Sequence, residues 1–230
     1  MIPRCSIIIP ALNEAQTIGR TLESLAPYRT AGCELILVDA GSDDDTVAVA
    51  SPLVDICIET SPGRARQMNA GAAAANAQLL WFLHADTRPL ISAAADIESM
   101  LRDMQGALNG WGFFALRLRG PERWCRVLEF FISQRSALSG IGTGDQGIFL
   151  RKKIFSKAGG FAEVKLMEDV EFCTRLKSFG RPSVFSRWHL ETSSRRWREF
   201  GVLKTIWLMW KLRLAFFLGV NHRHLAKFYF

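Results

Sequence analysis

Leu80-Trp81-Phe82-Leu83-His84-Ala85-Asp86-Thr87 is an apolar run with the composition of a buried strand, and it ends in one carboxylate with a histidine two residues earlier. Such a strand delivers polar side chains to the carboxyl edge of a sheet, where open α/β sheets bind ligands. An aspartate at that edge can hold a divalent cation, and the cation can hold a diphosphate. The alternative is that Asp86 only caps the turn after the strand, a common role for aspartate.

Strand-like and helix-like segments alternate through the first half of the chain. The strands are predicted at residues 6–10, 34–38, 54–59 and 79–83, and the helices at residues 13–25, 46–50 and 64–78. This order predicts an α/β fold with a mostly parallel central sheet flanked by helices. Asp39 follows the second strand, so we expect it at the same edge as Asp86, where it either accepts hydrogen bonds from a nucleobase or ribose or caps its own turn.

The familiar glycine-rich nucleotide loops are absent from this edge. The segment after the first predicted strand is Pro10-Ala11-Leu12-Asn13-Glu14-Ala15, which has no glycine. A dinucleotide site of the G-x-G-x-x-G type is therefore not expected, and no G-x-x-x-x-G-K-[ST] sequence is present to form a P-loop.

The composition of the 230 residues, with 49% hydrophobic and 22% charged side chains, is typical of a folded protein with one large core. The five cysteines are scattered and odd in number. That pattern favours a reducing compartment over a disulfide framework or a zinc site. With no signal-peptide pattern at the start, the expected location is the cytoplasm.

Two acidic residues open a helix in the second half. Strands are predicted at residues 110–119 and 148–150, and helices at residues 92–104, 122–131, 154–158 and 168–179. The apolar stripe of the last helix leaves Glu168 and Asp169 free to face a site, where a carboxylate at a fixed place can act as a general base. The alternative is ordinary compensation of the helix dipole by acidic residues.

Two basic segments could bind phosphate. Arg64 and Arg66 begin the helix predicted at residues 64–78, and a helix N-terminus with arginines is a natural phosphate site. Arg195 and Arg196 precede Trp197, so guanidinium groups that can neutralise a diphosphate adjoin an indole that can stack on a sugar or base. In both segments the alternative is a solvated basic turn.

The net charge of +7 is concentrated at the C-terminus. Residues 181–230 carry a net charge of +8, whereas residues 1–180 carry −1. Residues 202–220 are mostly apolar but contain three cations, which disfavours a spanning helix and favours an amphipathic helix at a membrane surface. The alternative is a helix that packs on the domain or on a second subunit of a homo-oligomer.

Five motifs in order resemble those of the family 2 glycosyltransferases, which have the GT-A fold. The resemblance covers about 200 residues and rests on Ser6–Glu14, Glu34–Thr46, His84-Ala85-Asp86 in the place of the D-x-D motif, Gly144–Leu150 with Gly159-Gly160-Phe161, and Glu168-Asp169. The pattern is most similar to a bacterial subgroup with Phe-Leu-His-Ala-Asp-Thr and a terminal Arg-Arg-Trp. It implies one domain over residues 1–200, with a nucleotide-binding half at 1–90 and an acceptor half at 91–200, followed by a basic, aromatic tail at 201–230.

The resemblance implies an inverting transfer of a sugar from a nucleoside-diphosphate sugar, UDP- or GDP-linked, to a hydroxyl acceptor. Asp169 would be the catalytic base beside Glu168, and Asp86 with His84 would hold Mn²⁺ or Mg²⁺ to neutralise the leaving diphosphate. His84 departs from D-x-D, and histidine suits Mn²⁺ better than Mg²⁺. The residues expected to bind the donor are Pro10, Ala11, Glu14, Asp39, Arg64, Arg66, Asn69, Arg195, Arg196 and Trp197.

Other functions are compatible with parts of this pattern. A non-catalytic nucleotide-sugar-binding protein would keep the fold but not need both Asp86 and Asp169. A nucleotidyltransferase of the same fold would carry a glycine-rich, basic loop after the first strand, which residues 10–15 lack. Nucleic acid is not an expected partner. The acceptor is unknown, and the tail favours a lipid-linked one at the inner face of the membrane.

Overall fold

The computed structural model describes residues 2–221 and 224–225. In that part of the chain eight strands form one sheet; they are β1 Ser6–Ala11, β2 Glu34–Asp39, β3 Ile56–Glu59, β4 Leu79–Phe82, β5 Arg88–Pro89, β6 Trp111–Leu118, β7 Phe149–Arg151 and β8 Ser183–Thr192. The described α-helices are α1 Ala15–Thr30, α2 Thr46–Ala50, α3 Arg64–Ala74, α4 Ala94–Gln105, α5 Arg123–Ser139, α6 Lys152–Lys157, α7 Glu168–Leu176, α8 Arg195–Phe200 and α9 Val202–Phe217.

The sheet is mixed and mostly parallel, as the sequence predicts. Its strand order is β3-β2-β1-β4-β7-β6-β8-β5. The first four strands run parallel to one another, β7 runs antiparallel to both β4 and β6, and β8 runs parallel to β6. Because β7 is antiparallel, it begins where β4 ends. The loops after β1, β2, β4 and β8 and the loop before β7 therefore meet at one edge of the sheet.

Two apolar layers hold the helices on the sheet. Along β1, Ile7 and Ile9 face the layer that contains α1 and α4, whereas Ile8 faces the layer that contains α3 and α7. This alternation is the two-residue period of a strand buried on both faces. On the second face α3 lies so close to β1 that a Cβ at Gly71 would collide with the side chain of Ile8.

The sequence did not predict β5, β8 or α8, and three helices end four or more residues from their predicted positions. Helix α1 continues to Thr30, beyond the predicted end at residue 25. β8 is half-exposed along much of its length and follows Pro182, so it lacks the continuous apolar pattern of the first strands. Helix α5 continues to Ser139, beyond the predicted end at residue 131, and stops where Gly140 adopts a left-handed conformation. Helix α3 ends at Ala74 instead of residue 78 because Ala75 is already extended.

The C-terminal helix α9 packs on the domain. Leu212 is buried in the layer that contains α3 and α7, and Leu208, Ala215 and Phe216 pack against that layer. None of the helices in the described residues is long and apolar enough to cross a bilayer. The last five residues of the tail, 226–230, lie outside the described part of the chain.

Candidate active site

The loops after β1 and β2 are joined by hydrogen bonds that shape one end of the site. The backbone N–H of Asn13 donates to Ser42 Oγ at 2.9 Å, and the N–H of Asp43 donates to Asn13 Oδ1 at 2.9 Å. The N–H of Glu14 donates to Thr46 Oγ1 at 2.7 Å. These contacts fix the start of α1, so Glu14 lies at the carboxyl edge of the sheet.

Asp39 is buried in the turn that it begins. Its Oδ2 accepts hydrogen bonds from the N–H groups of Gly41 and Ser42, at 2.9 and 2.8 Å, and its Oδ1 accepts from Ser42 Oγ at 2.5 Å. The carboxylate therefore caps its own turn, which is the alternative that the sequence left open. Its lone pairs are not exhausted by these three bonds, so contact with a nucleobase stays a prediction.

Gln67 attaches α3 to the same edge, and sequence reasoning did not identify it. Its Nε2 donates to the carbonyl oxygens of Ala11 and Val38, at 2.8 and 2.9 Å. These carbonyls lie at the ends of β1 and β2. The attachment holds the N-terminus of α3, with Arg64, beside the strand ends. Pro10 and Ala11 contribute buried backbone at this point.

His84 and Gly144 meet because β7 begins beside the end of β4. The N–H of Phe82 donates to the carbonyl of Ile148 at 2.8 Å, which draws the turn Gly144–Gln146 against the loop after β4. The imidazole of His84 lies on Gly144, where any Cβ would collide with Nε2. Burial and the nearby Arg64 lower the pKa of His84 to about 3, so the ring is neutral at physiological pH.

The acidic pair at the start of α7 lies against the same turn. Met167 takes a left-handed conformation with φ of 67°, and α7 begins directly after it. Asp169 Oδ2 accepts a hydrogen bond from the N–H of Gly144 at 2.9 Å, and its Oδ1 accepts from the N–H of Val170 at 2.7 Å. The structure thus brings Asp169 to the loop of His84 and Asp86.

Glu168 is buried and pairs with Arg64 across 3.3 Å. Burial raises the pKa of this carboxyl, whereas Arg64 opposes the rise and Asp169 adds to it. A small cavity opens between the two acids and the histidine, lined by Met68, Phe82, His84, Gly144, Ile148, Phe161, Glu168 and Asp169. A small group that enters it would meet two carboxylates and a neutral imidazole.

Three charged residues near the pair were not identified from the sequence. Burial raises the pKa of Asp145, and the nearby carboxylates of Asp169 and Asp86 add to the rise. Burial and the like charge of Arg213 lower the pKa of Arg135 to about 10. Within the described residues, Asp145 Oδ1 and Arg135 Nε are buried without a hydrogen-bond partner. No local pattern marks Arg135 or Arg213, since packing alone brings α5 and α9 to this place.

Arg195 reaches the site because β8 ends at the same sheet edge as β4. The hydroxyl of Thr87 donates to that of Thr192, at 2.9 Å, and links the two loops. The charges of Arg195 and Arg64 both act on Glu14, whose pKa is raised chiefly by burial and further by Asp86. Glu14, Asp86, Arg64 and Arg195 therefore lie around one region.

Four of the predicted donor-binding residues have structural contacts of their own. Arg66 pairs with Glu163 at 2.7 Å. The side-chain amide of Asn69 bonds both the carbonyl and the N–H of Phe161, at 2.8 and 2.9 Å. Trp197 packs against a small cluster formed by α5 and β6, and Arg196 lies 5.8 Å from the centroid of the Phe200 ring.

The donor set near Asp86 suits a cation that is held partly by its ligand. Among the described residues no three histidine, cysteine or acidic side chains cluster as a metal site. Asp86 is half-buried, and its Oδ1 accepts a 3.3 Å hydrogen bond from Thr87, which leaves its Oδ2 for a cation. His84 is neutral and has no hydrogen bond to its ring within the described chain, so a ring nitrogen is available as a ligand. One or two protein ligands plus diphosphate oxygens are a usual coordination for Mg²⁺.

Comparison with known proteins identifies the class to which this fold and site belong. Residues 6–107 match the model of Glycosyl transferase family 2. An uncharacterised glycosyltransferase of Mycobacterium tuberculosis is 33% identical over 184 residues, which cover 75% of this chain and 68% of that protein. A PGL/p-HBAD biosynthesis glycosyltransferase of Mycobacterium bovis is 27% identical over 213 residues, covering 87% of this chain and 79% of that protein. The chain belongs to glycosyltransferase family 2.

Solved structures share the GT-A architecture. A mannosyltransferase from Pyrobaculum calidifontis, in complex with GDP-Man and Mn²⁺, superposes with a TM-score of 0.65 at 21% identity and covers 96% of this chain and 63% of that chain. TarS 1–349 of Staphylococcus aureus, in complex with UDP, superposes with a TM-score of 0.62 at 17% identity, and the match covers 85% of this chain and 62% of that chain. This chain spans less than two thirds of the length of either structure.

Proposed function

We propose that this protein transfers a sugar from a nucleoside-diphosphate sugar to an acceptor hydroxyl with inversion at the anomeric carbon. The observation that carries the proposal is the placement of Asp169. Its Oδ2 accepts the N–H of Gly144, 2.9 Å away, at the edge that also holds Asp86 and Arg64. A carboxylate fixed beside a diphosphate-binding edge is what an inverting transfer requires.

In the proposed reaction Asp169 accepts the proton of the acceptor hydroxyl. The oxygen attacks the anomeric carbon from the side opposite the diphosphate, and the bond between that carbon and the diphosphate oxygen breaks. Glu168 forms an ion pair with Arg64, so its proposed role is to hold the N-terminus of α7 in place and to balance the charge of Arg64. Arg64 and Arg195 neutralise the negative charge that develops on the leaving diphosphate.

Asp86 and His84 are the residues proposed to hold a divalent cation. The cation would act as a Lewis acid on the diphosphate. The Pyrobaculum calidifontis structure contains Mn²⁺ with GDP-Man, which supports a cation in this fold. A neutral imidazole beside a carboxylate suits Mn²⁺ better than Mg²⁺.

The donor is a nucleotide sugar, with the base and sugar left to experiment. The structural neighbours bind UDP and UDP-GlcNAc in one case and GDP-Man in the other. Glu14, in the loop after β1, and Asp39, the last residue of β2, are proposed to contact the nucleoside part, because both lie at the carboxyl edge of the sheet. The aromatic, basic helix α9 favours an acceptor that is held at a membrane.

Replacing Asp169 with Asn tests the proposed base. We expect kcat to fall about a thousandfold while nucleoside-diphosphate binding stays within about twofold. The matched control is Asp96→Asn on α4, in the layer on the other face of the sheet, which should keep full turnover. Turnover that survives in Asp169→Asn refutes the base assignment. Tight nucleotide-sugar binding with no transfer to any acceptor in the wild type would favour the non-catalytic binding protein.

A further inference from the structure

Helix α9 has two apolar faces, and only one of them is covered by the domain. Leu212 is 2% exposed and Thr205 is also buried. On the other side five large apolar side chains are 59% to 82% exposed: Leu203, Trp207, Trp210, Leu214 and Phe217. Two tryptophans this exposed are unusual, because such a ring loses much favourable burial.

The exposed side chains form a single stripe. They recur at intervals of four and three residues from Leu203 to Phe217. On an α-helix this spacing places them one above another along one face, about 100° wide. Leu212 lies on the opposite face, as its burial requires.

The neighbouring helix α5 also exposes apolar side chains. One small apolar cluster joins the two helices. It contains Leu128 of α5, and Ile132 of α5 and Val202 and Ile206 of α9 pack against it, so the two helices are neighbours. On its outer side α5 exposes four more large apolar residues: Val127, Phe130, Phe131 and Leu138. We call the exposed apolar residues of α5 and α9, taken together, the two-helix face.

Positive charge borders the two-helix face. Lys204 and Lys211 are exposed and follow Leu203 and Trp210 on one edge of the stripe. The Nζ of Lys211 lies 5.1 Å from the centroid of the Trp207 ring. No aspartate or glutamate occurs after Glu199 in the sequence. An apolar stripe with cations along one edge complements a partner that has an apolar interior beneath an anionic surface layer.

We propose that the two-helix face docks on an anionic phospholipid bilayer, with α9 lying in the plane of the interface. The aromatic and aliphatic side chains enter the boundary of the acyl chains, and the lysines contact the headgroup phosphates. A second copy of the chain is a poorer occupant. A two-fold contact in which the two α9 helices run antiparallel would set Lys204 and Lys211 of one copy close to those of the other.

Docking in this orientation has a consequence for the site. Arg213 is on α9 as well, and the charges of Asp169 and Asp145 act on it. The helix that meets the bilayer therefore also adjoins the candidate base. This docking does not depend on the proposed transfer, because it rests on the exposed side chains and charges alone.

Co-sedimentation of the full chain with vesicles tests the docking. We expect binding to phosphatidylcholine vesicles that contain phosphatidylglycerol, much weaker binding to phosphatidylcholine alone, and loss of binding as salt is raised. Trp207→Ser with Trp210→Ser should lower the partition coefficient at least about tenfold. Lys204→Gln with Lys211→Gln should lower it about twenty-five-fold, which is about fivefold for each lost charge.

The matched control removes the same charge from the other face of the sheet. Arg20 on α1 and Arg102 on α4 are exposed, so Arg20→Gln with Arg102→Gln should leave the partition coefficient within about twofold. The proposal is overturned if the wild type fails to sediment with anionic vesicles at low salt. It is also overturned if the control variant loses as much binding as the lysine variant. A dimer in sedimentation equilibrium that Trp207→Ser with Trp210→Ser abolishes would identify a second copy as the occupant instead.

Discussion

Gly144 joins the two halves of the site through a single residue. Its N–H donates to Asp169, and the absence of a side chain gives room for the ring of His84. Gln146 fixes this turn through its side chain. Its Oε1 accepts hydrogen bonds from Ser136 Oγ at 2.8 Å and from the N–H of Thr143 at 3.0 Å. The position of the candidate base thus depends on the conformation of this turn.

Gly144→Ala should destabilise the protein by about 1–3 kcal/mol and lower kcat, because the new methyl group displaces His84 and shifts the N–H that holds Asp169. The three atoms nearest to the added Cβ all belong to His84. In a His84→Ala background the same change should therefore cost less than about 0.5 kcal/mol. Denaturant unfolding of the four proteins in this cycle measures the coupling. Equal costs in both backgrounds would contradict the contact.

His84 should make the stability of the protein fall as the pH is lowered. Its pKa in the folded state is about 3, below the ordinary value for histidine, so the unfolded chain binds a proton first. Its contribution is fully present above about pH 6.5 and is lost on acidification towards about pH 3. In that window the free energy of unfolding of the wild type should fall more steeply than that of His84→Gln, by at most about 1.4 kcal/mol per pH unit. If the free energy of unfolding, measured by urea titration, depends on pH in the same way for the wild type and His84→Gln, then His84 stays solvated in the folded protein.

The site residues that could be predicted from the sequence are those at strand ends and helix starts. Asp39, Asp86, Arg64 and Asp169 each follow a strand or lie in the first turn of a helix, so local pattern marked them as candidates, and the family resemblance supplied their predicted roles. Asp145 follows a glycine in a turn, and Arg135 lies one turn before the end of α5. Neither position carries a local signal, because their relation to Asp169 exists only after α5, α7 and the Gly144 turn have packed.

At the scale of elements, β7 is the strand that shapes the site. It pairs antiparallel with β4, so the turn before it lies next to the loop after β4. A parallel strand in that position would have placed its preceding loop at the opposite edge. Strand direction at one position in the sheet therefore decides that Gly144 and His84 meet.

Two neighbouring leucines on α9 should respond in opposite ways to truncation. Leu212 is 2% exposed and Leu214 is 63% exposed. Leu212→Ala should lower the free energy of unfolding by about 2–4 kcal/mol because it leaves a cavity under the helix. Leu214→Ala should change it by less than about 0.5 kcal/mol. Chemical denaturation followed by circular dichroism compares the unfolding free energies of the two variants. Equal effects would mean that α9 does not pack on the domain through Leu212.

At the scale of the whole molecule, one sheet gathers residues from both ends of the chain. The site combines the loop at Glu14 with Arg195 and Arg213, nearly 200 residues later. Ligand binding at such a place should stabilise the entire domain, because it links segments that separate on unfolding.

A nucleoside diphosphate with Mn²⁺ should therefore raise the melting temperature. At a ligand concentration of about 100 times Kd the gain is about 2.7 kcal/mol, which corresponds to about 5–10 °C for a chain of this size. UDP and GDP, each with and without Mn²⁺ or Mg²⁺, are compared by differential scanning fluorimetry. Asp86→Asn should lose the metal-dependent part of the shift and keep the rest. No shift with any of these ligands would refute the nucleotide-sugar site.

Local sequence pattern and composition were enough to establish the order of strands and helices in the first half, the acids at their ends and the excess of positive charge in the tail. These features depend on local periodicity and composition, which need no knowledge of distant contacts. The tertiary structure alone decided that β8 joins the sheet, that Gly144 holds Asp169, and that Asp145, Arg135 and Arg213 surround it. It also decided which face of α9 is buried. Each of these depends on segments far apart in the chain, and only packing of the layers brings them together.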